Sequence, residues 1–206
     1  MTNVTWYFDF ISPYSYFGLH TLQRLPAGTQ VTFRPVLFAG LLKHWEQKGP
    51  AEIPAKRAWT YRACVWWARQ HGLPFRMPAA HPFNPLPFLR LAIAADNTRD
   101  AISTIFTQLW TTGADPADPT VLEGLMQKLQ ISPERPGDAS VKQALRWATD
   151  EAIERGVFGV PTLWIAGEAF WGSDAVDFAA AYLRDPQLLR EGEFARADAT
   201  PIGVMR

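Results

Sequence analysis

The chain has 206 residues, enough for one domain or two small ones, and its 48 % hydrophobic and 13 % aromatic content predicts a filled core rather than disorder. Its 20 Lys and Arg balance its 20 Asp and Glu, so no net field steers it to nucleic acid or an anionic membrane, and any anion site must be local. Cys64 is the only cysteine, which excludes an intrachain disulfide, a CxxC pair and a cysteine-based metal site.

The chain opens with Met1-Thr2-Asn3-Val4-Thr5, where no basic segment precedes an apolar one, so no secretory leader is expected. No apolar run approaches the roughly 20 residues that span a bilayer. A soluble protein of a reducing cytoplasm is the expectation. Trp6 to Ile11 is apolar apart from Asp9, as a strand buried on both faces is. Ser12-Pro13 then starts a helix: serine accepts from a free first-turn N–H, and proline at the next position loses nothing. Tyr16, Leu19, Leu22 and Leu25 continue at helical spacing. Ser12 thus sits where the helix dipole is positive and where an anion or a thiolate would be stabilised.

A second strand is predicted over Val31 to Phe38, with Pro35 near its end, making a βαβ unit with parallel strands. A short helix and an irregular loop follow from Gly40 to Pro54. From Ala55 a helix is expected with Trp59, Ala63, Trp66 and Trp67 on one face, and the tryptophans read as core before ligand box. Five prolines between Pro74 and Pro87 forbid a continuous helix around His81-Pro82-Phe83-Asn84. In such a loop, His and Asn are ordinarily turn residues. Helical periods return in Phe88 to Asn97, Ala101 to Trp110, and Val121 to Leu129. A longer helix runs from about Ser140, with Val141, Leu145, Ala148 and Ala152 inward and Gly156 past its end. Thr162 to Ala166 and Ala169 to Trp171 read as a hairpin about a Gly167-Glu168 turn, and Gly172-Ser173-Asp174 opens a last helix carrying Val176, Phe178, Ala179 and Tyr182, capped by Ser173 or Asp174. Nothing firm is assigned beyond Pro186.

No GxGxxG, Walker A, HExxH or GxSxG occurs, and the four histidines hold no metal-ligand spacing, so no metal site is expected. Three features in order remain: Ser12-Pro13-Tyr14-Ser15 after the first strand, Gly159-Val160-Pro161-Thr162 before the hairpin, and Trp171-Gly172-Ser173-Asp174 after it. With them the chain resembles the thioredoxin superfamily, and within it the DsbA-like branch. The implied fold is α/β: a thioredoxin-like βαβ…ββα unit over 1–40 and 139–206, interrupted by an all-helical insertion over 41–138. Both positions of the redox CxxC are serine here, which excludes dithiol–disulfide exchange at that site.

More narrowly, the chain is similar to the 2-hydroxychromene-2-carboxylate isomerase family, kin of the kappa-class glutathione transferases. The similarity is carried by Phe8 to Ser15, Lys43, Pro54-Ala55-Lys56, Pro82-Phe83-Asn84, Val157 to Thr162 and Phe170 to Asp174. It implies glutathione as cofactor, with the Ser12 hydroxyl bonded to its sulfur. Val160, before a cis Pro161, would pair with the cysteinyl backbone, and Trp171-Gly172-Ser173-Asp174 would hold the γ-glutamyl end. Lys43 would meet the glycyl or the substrate carboxylate, while His81, Phe83 and Asn84 would lie against substrate. Ala175 stands where the family often has arginine, and Pro85 where serine or threonine is usual, which bears on the substrate contacts. Each residue also has a plainer reading: helix cap for Ser12, Ser173 and Asp174, edge-strand proline for Pro161, solvated lysine for Lys43.

The resemblance implies a glutathione-dependent cis–trans isomerase of aromatic degradation, interconverting 2-hydroxychromene-2-carboxylate and trans-o-hydroxybenzylidenepyruvate, in a homodimer. Two alternatives stay open: a kappa-like transferase that conjugates glutathione to an electrophile, and a non-catalytic thioredoxin-like module that binds a partner in the same cleft.

Overall fold

The computed structural model describes residues 3–204. Strands β1 (Asn3–Phe8), β2 (Gln30–Pro35), β3 (Thr162–Ile165) and β4 (Glu168–Trp171) form one sheet in the order β2-β1-β3-β4. β1 and β2 run parallel, with Phe8 opposite Pro35, and α1 (Pro13–Thr21) crosses between them. β3 lies antiparallel to β1, and β4 antiparallel to β3. The carboxyl ends of β1, β2 and β4 and the amino end of β3 therefore meet at one edge of the sheet.

Between β2 and β3 stand α2 (Phe38–His44), α3 (Pro54–Gln70), α4 (Leu86–Ala94), α5 (Arg99–Thr111), α6 (Pro119–Leu129) and α7 (Ala139–Glu154). α8 (Val176–Arg184) and α9 (Gly192–Asp198) follow β4. β1 is buried on both faces, as its unbroken apolar run requires. Trp6 and Phe8 point into a core shared with Phe33, Phe106 and α8, whereas Tyr7 points to the opposite side with Val36, Leu41, Ala148 and Ala152. No helix among the described residues is long and apolar enough to cross a membrane.

Several expectations need correction. β1 ends at Phe8, not Ile11, and β2 at Pro35, not Phe38. Pro35 has no N–H for the ladder, and the Asp9 carboxylate takes over by accepting the Ile11 and Phe38 amides at 3.1 and 2.8 Å. α3 buries Cys64 and Ala68, while Trp59 and Trp66 are 71 % and 61 % exposed; of the tryptophans expected on its inner face only Trp67 packs, against Phe17. The hairpin turns on Ala166-Gly167, both at positive φ (50° and 100°), so Glu168 already belongs to β4. α8 begins at Val176 with Ala175 as its cap residue, one place beyond Asp174 and two beyond Ser173, the expected caps, and Phe178 is half-exposed, stacked on Phe194 of α9.

Candidate functional site

Ser12 stands at the meeting edge of the strands, ahead of α1. Its backbone is extended (φ −91°, ψ 116°) and its hydroxyl oxygen accepts the Ser15 amide at 3.2 Å, so the capping role read from Ser-Pro is present. The same hydroxyl donates over 3.4 Å to the carbonyl of Val160. That contact is long for an O–H···O bond, so the proton is weakly held and the Val160 carbonyl keeps accepting capacity. The Val160–Pro161 peptide is cis, and Gly18 of α1 lies flush against the proline ring, where an added Cβ would come 3.0 Å from Pro161 Cγ.

The turn after β4 completes this edge. The Gly172 amide donates to the Pro161 carbonyl at 2.9 Å, and the Thr21 hydroxyl lies 3.2 Å from the Ser173 carbonyl, which ties the turn to the end of α1. Gly172 has φ +110°, and Asp174 folds back so far that a Cβ there would stand 2.5 Å from its Oδ1. Only glycine accepts that combination. Ser173 is buried and Asp174 exposed. Trp171, 56 % exposed, lies over Gly159 and meets the Phe158 ring edge-on at 5.2 Å. Gly159 has no space for a side chain, since its Cβ would reach 2.5 Å from the indole nitrogen.

Sequence-derived substrate residues are arranged differently from one another. His81 has both ring nitrogens engaged by protein: Nε2 lies 2.8 Å from the Ile11 carbonyl and Nδ1 2.6 Å from the Tyr61 hydroxyl. Burial lowers its pKa below the ordinary 6.5. Phe83 packs among His81, Phe88 and Trp110. Asn84 spends its Oδ1 on the Leu86 amide at 3.1 Å, closing the turn into α4. Lys43 lies exposed in the last turn of α2, the helix whose first residue, Phe38, is anchored by Asp9.

Some neighbours of Ser12 were not singled out from sequence. Asp9 is fully buried and desolvation raises its carboxyl from 3.8 to about 7, against the pull of the amides it accepts. A lone carboxylate in an apolar strand was a visible signal for it. Tyr14 sits in the first turn of α1 beside Thr60 and Cys64 of α3 and facing Asp174; burial raises its hydroxyl above the ordinary tyrosine value and the Cys64 thiol to about 12. Trp110 donates its indole N–H to the Phe10 carbonyl at 2.9 Å. Tyr61 of α3 carried no sequence signal, and the spacing of α5 marked Trp110 as core with nothing to tie it to Ser12. Groups of three or more His, Cys, Asp or Glu suited to a metal ion are absent among the described residues.

Comparison with known proteins bears on the fold and the family. Over 207 residues the chain is 28 % identical to a glutathione S-transferase kappa 2 of Caenorhabditis elegans, covering 89 % of this chain and 92 % of that protein. Over 197 residues it is 27 % identical to a 2-hydroxychromene-2-carboxylate isomerase of Sphingobium xenophagum, covering 88 % and 98 %. A solved 2-hydroxychromene-2-carboxylate isomerase superposes with a TM-score of 0.77 at 22 % identity, over 97 % of this chain and 100 % of that one, which speaks for the shared fold. The family model described as a DSBA-like thioredoxin domain matches residues 3–184, and the chain belongs to that family.

Proposed function

We propose that the protein is a glutathione-dependent cis–trans isomerase of aromatic compounds, with 2-hydroxychromene-2-carboxylate and trans-o-hydroxybenzylidenepyruvate or close relatives as its substrate pair. The observation that carries this reading is the position of Ser12: a hydroxyl at a helix start, with a weakly engaged proton, beside the Val160 carbonyl. Both curated relatives bear names of glutathione-handling or isomerase enzymes.

The residues suit the tripeptide. The carbonyl of Val160 has capacity to accept a cysteinyl amide in the manner of an added strand. The Gly172 turn holds the exposed Asp174 carboxylate at this edge, where it takes the ammonium of a zwitterionic γ-glutamyl group. When bound, glutathione supplies a nucleophilic sulfur that adds reversibly to a conjugated carbon and so frees a double bond to rotate. The Ser12 hydroxyl donates to that sulfur and, with the positive end of α1, holds it anionic; the dipole adds about 0.3–1 kcal/mol. Lys43, exposed on α2, pairs with a carboxylate of the ligand or substrate. Phe83 and Asn84 shape the substrate side through the Pro-rich loop, where the Asn84 amide N–H₂ stays available while its oxygen closes the turn.

The test is catalytic and stoichiometric. The purified protein should interconvert the two aromatic acids only with glutathione present and leave its concentration unchanged. Ser12→Ala should keep glutathione affinity while turnover falls on the order of 10²-fold, as for loss of one oxyanion donor. Equal turnover in Ser12→Ala would remove Ser12 from the mechanism. The similarity to a kappa-class transferase favours a second reading at the same site, conjugation, which consumes one glutathione per turnover and is separated by that stoichiometry. Absence of glutathione binding in a calorimetric titration would leave only a binding module.

A further inference from the structure

The turn that delivers Ser12 is Asp9-Phe10-Ile11, which has left the ladder of β1 and has no regular secondary structure to hold it. Its peptide groups are nevertheless pinned. The Ile11 amide donates to the Asp9 carboxylate at 3.1 Å, the Ser12 amide to the Asp9 carbonyl at 3.1 Å, and the Phe10 carbonyl accepts the Trp110 indole N–H at 2.9 Å. The Ile11 carbonyl belongs to the peptide that directly precedes Ser12. It accepts from His81 Nε2 at 2.8 Å.

A carbonyl only accepts, so Nε2 carries the imidazole proton. In the neutral ring Nδ1 is then an acceptor, and the Tyr61 hydroxyl, 2.6 Å from it and 2.9 Å from the His81 carbonyl, shares its one proton between these two acceptors of the same residue. Tyr61 projects from α3 and packs its ring edge-on against the imidazole, with centroids 5.3 Å apart. The imidazole is also flanked by Phe83 and Trp110 at 5.9 and 5.5 Å. A histidine so enclosed, with both nitrogens committed to protein, has no polar atom left to offer a substrate.

We propose that His81, oriented by Tyr61, is a positioning residue for Ser12: it fixes the Ile11–Ser12 peptide plane and thereby aims the Ser12 hydroxyl. This inference rests on the reading of Ser12 as the group that meets the glutathione sulfur, and it moves His81 from the substrate surface to the support behind the turn. The helical block and the thioredoxin-like sheet are thereby joined at the candidate nucleophile site by a Tyr61–His81–Ile11 chain of hydrogen bonds. Orientation matters because a donor displaced by about 1 Å from the developing charge loses most of its effect. Trp110 and the Asp9 carboxylate hold neighbouring peptide groups, whereas the Ile11–Ser12 peptide is held at both ends, its N–H by the Asp9 carbonyl within the turn and its C=O by His81 from outside it.

The test uses full-length His81→Phe, His81→Gln and Tyr61→Phe proteins with two readouts. The first is amide hydrogen exchange over residues 9–15, which needs no ligand. His81→Phe should speed exchange of the Ser12 and Ser15 amides about tenfold or more, with β1 and α5 unchanged. His81→Gln, whose amide can still donate to the Ile11 carbonyl, should restore most of the protection, and Tyr61→Phe should fall between. Exchange in His81→Phe equal to that of the unaltered protein overturns the proposal, whatever glutathione does. The second readout is the ultraviolet thiolate absorbance of added glutathione at neutral pH. It should drop in His81→Phe and recover in His81→Gln, while the glutathione dissociation constant changes less than about threefold. A dissociation constant that rises with no loss of thiolate signal from the bound fraction would make His81 a binding residue and also overturn the proposal. If the unaltered protein binds no glutathione, the functional reading of the site fails, and the exchange experiment still decides the role of His81 in holding the turn.

Discussion

Asp9 governs how the site responds to pH. Between its ordinary 3.8 and about 7 the folded chain keeps a proton that the unfolded chain releases, so this carboxyl makes folding less favourable as pH rises through that window. The effect is absent below the window and complete above it. Denaturant midpoints measured from about pH 4 to about pH 8 should therefore show the unaltered protein losing ground to Asp9→Asn as pH rises, by a few kcal/mol in all. Asparagine keeps an acceptor for one of the two amides, so the diagnostic quantity is the pH slope of the difference, and a flat difference would contradict the burial argument. At Gly172 the argument is geometric. Gly172→Ala forces a side chain into φ +110° and against the Asp174 carboxylate, and should cost about 1–3 kcal/mol while weakening glutathione binding in a titration. Unchanged binding would separate the turn from the ligand. What the sequence disclosed at this scale was the set of residues with a local signature: a Ser-Pro cap and a Gly-Ser-Asp turn. The engagement of His81 was hidden, since its partners lie 20 and 70 residues away and no local pattern encodes them.

Elements with a strong period were legible, and those decided by tertiary contacts were not. α5 buries Ala101, Ile102, Ile105, Phe106, Leu109 and Trp110, the set its spacing indicates. α3 defeated the same reasoning, because its tryptophans outnumber the positions that face inward and its buried face is made of Cys64 and Ala68. The consequence is measurable. Phe106 touches Trp6, Phe8, Phe10 and Tyr16, so Phe106→Ala should destabilise by about 3–5 kcal/mol, whereas Trp66→Ala, at a largely exposed side chain, should cost less than about 1 kcal/mol. Comparable losses in the two variants would contradict the burial assigned to these helices. Strand ends were missed by three residues each, at the points where Pro35 and Asp9 interrupt the ladder, and the hairpin turn by one, because alanine at positive φ gives no turn signal of its own.

At the scale of the whole molecule, the parallel β1–β2 pair, the helical block after it and the closing β3–β4 hairpin followed from the order of motifs, whereas the sheet order β2-β1-β3-β4 did not; the DSBA-like match over 3–184 agrees with the fold. Parts 1–40 with 139–206 and 41–138 are proposed as the two divisions of the chain, yet one core cluster runs from β1 and α8 through Phe106 and Trp110 to α6. Thermal unfolding followed by tryptophan fluorescence and by far-ultraviolet dichroism should accordingly give one coincident transition; two separated transitions would show that the divisions are energetically independent. The same continuity lets α3 and the Pro-rich loop act on the turn before Ser12. The claim on which all else depends is that the Ser12 hydroxyl keeps a bound glutathione sulfur anionic. Its most direct test is a pH titration of the thiolate absorbance of bound glutathione in the unaltered protein and in Ser12→Ala. The account predicts a bound thiol pKa below the free value of about 8.5, returning towards it in Ser12→Ala; identical titrations in the two proteins would contradict it.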